Sequence, residues 1–143
     1  MSEKILLTGS RFLTDDMGLE FFLEADGTVF CTLTPQLRHE GPPGHMHGGF
    51  SASLLDEAMG AAAWNGGHQV VSVNLATDFR APIPIGAEIT VRGRVDRIEG
   101  GKIHTIGSIT LVDDRTAVEG RGLWVEMPEM FKDADFLPFG SAR

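Results

Sequence analysis

Apolar and polar residues alternate along residues 19 to 34 in a pattern that predicts a β-hairpin. The alternating apolar positions are Leu19, Phe21, Leu23, Val29, Cys31 and Leu33. Between the two halves lies Asp26-Gly27, a pair that favours a tight two-residue turn. We therefore expect a strand, a turn and a second strand at the start of the fold.

A long apolar run without proline predicts a helix from about Gly49 to Trp64. Gly66-Gly67 follows it as a stop signal. The loop before it, residues 35 to 48, is rich in proline and glycine, which excludes regular structure there. Because the apolar residues of the run lie on all sides, we expect the helix to be enclosed by other structure.

Four more segments are rich in valine, isoleucine and threonine, which favours strands. They are residues 69–79, 87–98, 102–112 and 116–126. In the first, alternation predicts an apolar face of Val71, Val73, Leu75 and Phe79 and a polar face of Ser72, Asn74, Ala76 and Asp78. The order β-β-α-β-β-β-β predicts an α+β fold, in which an antiparallel sheet of about six strands curls around one central helix.

The chain of 143 residues has the length of one domain, and its 42% hydrophobic and 22% charged residues are typical of a folded protein. We expect a single domain over residues 1–143, with a core at about 19–126 and a C-terminal tail at 127–143. Phe131, Phe136 and Phe139 indicate that this tail packs against the domain.

The formal charge of -8 argues against a bulk electrostatic grip on nucleic acid or on an anionic membrane surface. The single cysteine, Cys31, excludes an internal disulfide and any zinc site built on paired thiolates. His45 and His47 form an H-x-H pair without a supporting ligand, which disfavours a metal. The N-terminus lacks a secretory pattern and no stretch has the length of a membrane span, so we expect a soluble cytoplasmic protein.

Asp56 and Glu57 lie in the middle of the predicted helix among apolar residues. A buried carboxylate is costly unless it is paired, so Asp56 is a candidate catalytic group, with a structural role as the alternative. Glu57 lies about 100° further round the helix. There it can bond the sheet or reach solvent, and a structural role is the favoured interpretation.

Gly48-Gly49 stands at the helix start, where unbonded N–H groups and the positive end of the helix dipole favour an oxyanion. A plain loop-to-helix turn is the alternative. Gly49 and Asp56 are separated by about 10 Å of helical rise, so they cannot both touch one carbonyl. If both act on the same bond, they come from two copies of the chain, which implies a two-fold dimer.

The pattern His47-Gly48-Gly49, six residues, then Asp56 resembles the hotdog-fold acyl-CoA thioesterases of the phenylacetate-pathway (PaaI-like) type, over about residues 19 to 126. The other matching segments are Leu55-Asp56-Glu57-Ala58, Val71-Ser72-Val73 and Phe79-Arg80-Ala81-Pro82, with Gly86 following. The resemblance implies hydrolysis of an acyl-CoA to acid and CoA, with no cofactor, because CoA enters with the substrate. It also implies a homodimer, often a dimer of dimers.

By the same resemblance, Asp56 is the general base or nucleophile, and the N–H groups near Gly48 and Gly49 hold the oxyanion. His47 positions the carbonyl, and Ser72 holds the attacking water. Many members carry an asparagine six residues before the histidine, where this chain has Gly41. Either catalysis is weaker, or His39, His45 or another donor takes its place. Members also often carry an arginine directly before the proline, where this chain has Ala81, with Arg80 one position earlier.

Several basic residues are candidates to bind the CoA phosphates: Arg80, Arg92, Arg94, Arg97 and Lys102. Surface strands also commonly carry such charges. A rival function is a non-catalytic acyl-CoA or fatty-acyl binding protein, in which Asp56 is structural. A hotdog hydratase is disfavoured because no paired Asp and His at the spacing expected for hydratases is present.

Overall fold

A computed structural model describes residues 4–132. It contains one long helix, α1 (Gly48–Asn65), and seven strands. The strands are β1 (Lys4–Leu6), β2 (Phe22–Glu24), β3 (Val29–Leu33), β4 (Val70–Phe79), β5 (Ile89–Glu99), β6 (Lys102–Leu111) and β7 (Thr116–Glu126). Single helical turns lie at Arg11–Asp16, Leu37–His39 and Pro128–Met130. The predicted helix and the four long strands are confirmed to within two residues at each end.

The strands form one antiparallel sheet in the order β1-β2-β3-β5-β6-β7-β4, and α1 packs against β3 to β7. This confirms the expected α+β hotdog arrangement of a sheet around a central helix. The sheet has one strand more than the sequence predicts, because β1 pairs with β2. Leu7 and Leu13, which follow β1, are buried in the core. The two edges of the sheet are β1 and β4.

A row of glycines lets α1 lie close to the sheet. Gly93, Gly107 and Gly120 pair across β5, β6 and β7. A Cβ atom on Gly93 would lie only 2.6 Å from backbone atoms of Ala58 and Met59. Because any larger residue would push the helix away, this row fixes the depth at which the middle of α1 sits.

A β-bulge in β4 changes which face its side chains share. Ser72 pairs with Trp124 and Asn74 pairs with Leu123, so Val73 is the extra residue. Trp124 packs toward α1, since a Cβ on Gly60 would meet its ring at 2.9 Å. Ser72 therefore faces the helix.

The predicted polar face of β4 is wrong for Ser72. Beyond the bulge, Leu75 pairs with Gly122 and Phe79 with Val118, so these residues share the helix-facing side with Ser72. The predicted apolar face is also not enclosed by the chain, because Phe79 is 57% exposed. The β4 edge of the sheet therefore exposes apolar side chains.

The C-terminal tail begins beside α1. The ring of Phe131 lies edge-on against Trp64, with 4.8 Å between the centroids. Phe136 and Phe139 lie outside the described residues. The first part of the tail thus packs against the C-terminal end of α1.

Candidate active site

Among the described residues, the first turn of α1 leaves one backbone donor without a partner. His47 caps the helix, since its Nδ1 accepts from the Gly49 N–H at 2.9 Å. The N–H groups of Phe50 and Ser51 donate to the His47 carbonyl. The Gly48 N–H has no hydrogen-bond partner within residues 4–132. Of the two glycines singled out in the sequence, Gly48 is therefore the one whose N–H can bind a ligand.

The same cap fixes the proton of the His47 ring. Because Nδ1 accepts the Gly49 N–H, the neutral ring carries its proton on Nε2. Nε2 can then donate to a substrate carbonyl. Nδ1 cannot take up a proton without breaking the cap, which favours a positioning role for His47.

A groove of about 400 Å³ opens beside the start of α1. Its lining includes Met46, Gly48, Ser51, Phe79, Arg80 and Ile83. Most of this wall is apolar, so charges and hydrogen bonds inside it are weakly screened. Neither Asp56 nor Ser72 lines the groove.

Asp56 lies on the side of α1 that faces the β4 edge. It is one helical turn before Gly60, which packs against Trp124, the cross-strand partner of Ser72. Burial raises the pKa of Asp56 above its usual value of 3.8. The carboxylate forms no hydrogen bond or ion pair with the rest of the described chain, so it is available as a base.

Glu57 points to the other side of the helix. It is 5% exposed, and its Oε2 accepts the Ser10 N–H at 2.6 Å. Burial raises the pKa of Glu57 above 4.5, although its hydrogen bonds with Ser10 oppose the shift. Glu57 therefore anchors the N-terminal segment to α1.

We expect Glu57→Gln to change the pH dependence of stability. A raised pKa in the folded state means that stability is lost as pH rises from about 4.5 through the folded pKa. Since glutamine does not titrate, Tm of the variant should rise relative to the parent between pH 4.5 and neutrality. Thermal melts over this range test the prediction, with the exposed Glu129→Gln as control. Parallel Tm profiles for parent and variant would contradict it.

Within one chain the site residues form two separate groups. Gly48 and Asp56 are eight residues apart, which is about 12 Å along the helix. Gly48 lines the groove and His47 directly precedes it, whereas Asp56 and Ser72 lie toward the β4 edge. One thioester cannot touch both groups of the same chain.

The candidate phosphate ligands do not form one cluster. Arg80 lines the groove beside Gly48, and its Nη2 donates to Glu119 at 2.9 Å. Arg92 and Arg94 flank Gly93, so they lie on the sheet face opposite α1, where they border a second depression of about 340 Å³. The two remaining candidates, Arg97 and Lys102, line neither cavity.

The structure explains Gly41, and it shows what two of the histidines contact. A Cβ on Gly41 would lie 2.7 Å from the His47 Cα, so this loop has no room for a side chain. His45 bonds the Pro43 carbonyl through Nδ1. His39 is buried and stacks on Phe50 with 4.4 Å between the centroids. Burial lowers the pKa of His39 and favours its neutral form.

The described residues do not favour a cysteine nucleophile or a metal site. Burial raises the pKa of the Cys31 thiol to about 12, so it is not a nucleophile at neutral pH. Residues 4–132 contain no cluster of three metal-ligating side chains. No helix in that range is long and apolar enough to cross a membrane.

The chain is similar to several known proteins. The family model of the thioesterase superfamily matches residues 43–117. Acyl-coenzyme A thioesterase THEM4 of Xenopus laevis is 36% identical over 103 residues, which cover 70% of this chain and 46% of that protein. The rat THEM4 is 31% identical over 75% of this chain and 47% of that protein. The chain thus spans about half the length of the curated relatives it matches.

Solved structures show the same fold. The thioesterase superfamily protein RHA08564 is 36% identical with a TM-score of 0.73, over 76% of this chain and 53% of that one. The E. coli PaaI protein from the phenylacetic acid degradation operon is 21% identical with a TM-score of 0.72, over 81% of this chain and 84% of that one.

Proposed function

The chain belongs to the thioesterase superfamily, and we propose that it hydrolyses an acyl-CoA thioester to a free acid and CoA. The observation that carries the proposal is the unpartnered Gly48 N–H at the start of α1, beside an apolar groove. The names of the THEM4 relatives, which are acyl-coenzyme A thioesterases, support the substrate class.

In the proposed reaction, the thioester carbonyl lies at the helix N-terminus. The Gly48 N–H and His47 Nε2–H donate to its oxygen, and the helix dipole favours the negative charge that develops there. Asp56 takes a proton from a water that Ser72 holds, and that water attacks the carbonyl carbon. The tetrahedral intermediate collapses, the C–S bond breaks and CoA leaves as the thiolate. These steps use water and protein groups alone.

We propose that two copies of the chain build each site. No strand of residues 4–132 pairs with the outer edge of β4, and Val73 and Phe79 expose apolar side chains there. Antiparallel pairing of two β4 strands about a two-fold axis would cover this edge and continue the sheet. It would also bring Asp56 and Ser72 of one copy toward the groove of the other.

Steady-state thiol release from a panel of short, long and aromatic acyl-CoAs tests the proposed activity. A hydrolase turns over many times per chain. A binding protein retains the acyl-CoA without releasing thiol. Saturable binding with no turnover of any thioester would therefore contradict the proposal and favour the rival function.

We expect Arg80→Gln to raise KM for acyl-CoA several-fold and to leave kcat nearly unchanged. Arg80 is the basic candidate that lines the groove with Gly48. Phosphates lie far from the breaking bond, so their contacts bind ground and transition states alike. Loss of the exposed ion pair with Glu119 should cost little stability.

The double variant Arg92→Gln, Arg94→Gln is the comparison, since both arginines lie on the far face of the sheet. It should change KM less than Arg80→Gln does. A larger effect of the double variant in the same assay would place the nucleotide on that outer face instead.

A further inference from the structure

Ser51 is a largely buried residue whose hydroxyl has no hydrogen-bond partner among the described residues. The residue is 2% exposed, and its hydroxyl makes no hydrogen bond within residues 4–132. The neighbouring serine behaves differently, because Ser53 Oγ donates to the Gly49 carbonyl at 3.0 Å. Among the described residues, the one fully buried side-chain polar atom without a partner is His39 Nε2, so the Ser51 hydroxyl is not sealed off from the groove that it lines. Ser51 thus presents a donor to the groove that a bound ligand can use.

Its position indicates what that partner is. Ser51 lines the same groove as Gly48, whose N–H is also unpartnered. Residues three apart on a helix share one face and lie about 5–6 Å apart. The two donors therefore reach the same part of the groove, within a wall made apolar by Phe79 and Val118.

We propose that the Ser51 hydroxyl is a second hydrogen-bond donor to the thioester carbonyl oxygen, alongside the Gly48 N–H. The inference rests on the proposed hydrolase function and names a further catalytic residue for it. The loop at Gly41 has no room for a side chain that could donate from that direction. Ser51 supplies a donor from the helix instead.

The chemistry favours this arrangement in the transition state. As water adds to the carbonyl carbon, the oxygen gains negative charge and accepts hydrogen bonds more strongly. In an apolar groove such bonds are stronger than in water. The hydroxyl forms no bond to the substrate carbon, so it changes the rate without changing the products.

Ser51→Ala tests the inference, and kcat should fall by roughly tenfold to a hundredfold while KM stays near the parental value. Tm should not fall, because the substitution removes no hydrogen bond within the described chain. Ser53→Ala is the matched control on the same helix, and its kcat should be parental. Ser51→Cys nearly conserves the side-chain volume and has a weaker donor, so its kcat should lie between those of the parent and of Ser51→Ala.

A double-variant measurement shows whether Ser51 acts on the same oxygen as Gly48 or only supports the fold. If Ser51 and Gly48 act on one oxygen, Ser51→Ala should cost less in the background of Gly48→Pro than in the parent. Parental kcat for Ser51→Ala in an active enzyme would overturn the inference alone. So would a lower Tm with kcat intact, or a raised KM with kcat intact. A parent that hydrolyses no thioester would overturn the proposed function as well.

Discussion

Asp56→Asn is expected to lower kcat by at least about 10²-fold while acyl-CoA binding is retained. Asparagine has nearly the same shape as aspartate but cannot accept a proton from water. The carboxylate lies in a half-buried position that already disfavours its charge, as its raised pKa indicates. Tm of the variant should therefore be unchanged or higher. Steady-state kinetics, an acyl-CoA binding titration and a thermal melt measure the three quantities.

The adjacent carboxylate provides the control for this variant. Glu57→Gln keeps an oxygen that can accept the Ser10 N–H, so it should fold at neutral pH and retain most of the parental kcat. Parental turnover by Asp56→Asn, or an inactive Glu57→Gln that is still folded, would show that the catalytic carboxylate is assigned to the wrong residue.

Gly48→Pro is expected to lower kcat by about 10²- to 10³-fold, which is typical for the loss of one oxyanion donor. Gly48 is the first residue of α1, where proline is well tolerated. His47 before it has φ -64 and ψ 132, which suits a residue that precedes proline. The variant therefore removes the N–H without breaking a hydrogen bond of the fold, and Tm should change little.

Gly48→Ala is the matched control, because it keeps the N–H and adds only a Cβ. That atom would lie 3.5 Å from the Phe79 ring, an ordinary contact. Its kcat should stay well above that of Gly48→Pro. Equal losses for both variants would mean that space beside Phe79, rather than the N–H, controls the rate.

The helix and the four long strands could be predicted because their signals are local. Apolar density without proline marks α1, and β-branched residues between turn signals mark β4 to β7. β1 has three residues, Lys4–Leu6, and it is a strand because it pairs with β2. A segment this short carries too little periodicity to be recognised before its partner is known.

The side-chain directions in β4 could not be predicted from alternation. A bulge adds one residue and reverses the faces beyond it, and no residue type in Ser72-Val73-Asn74 signals one. Ser72 was therefore expected on the polar face, although it faces the helix. This placement is what lets Ser72 lie on the same side as Asp56.

At the helix start, the sequence indicates the type of site but not the donor. Which glycine N–H is free depends on the His47 ring, which bonds Gly49 and leaves Gly48. Ser51 was missed because serine near a helix start is ordinary. Its spacing of three from Gly48 was the available signal, and only its place on the groove wall beside Gly48 gave that spacing meaning.

Mixing two inactive variants tests most directly whether two copies share each site. The two variants Asp56→Asn and Gly48→Pro are combined in a heterodimer that is purified through two different affinity tags. If Asp56 acts across the interface, this heterodimer contains one site with both defects and one intact site. It should show about half of the parental kcat per dimer, and sedimentation should show a dimer or a larger even-numbered assembly. If Asp56 and Gly48 of the same chain act together, every site in the heterodimer is defective. Activity no higher than that of the two single variants, each assembled with itself, would contradict the proposal that two copies share each site.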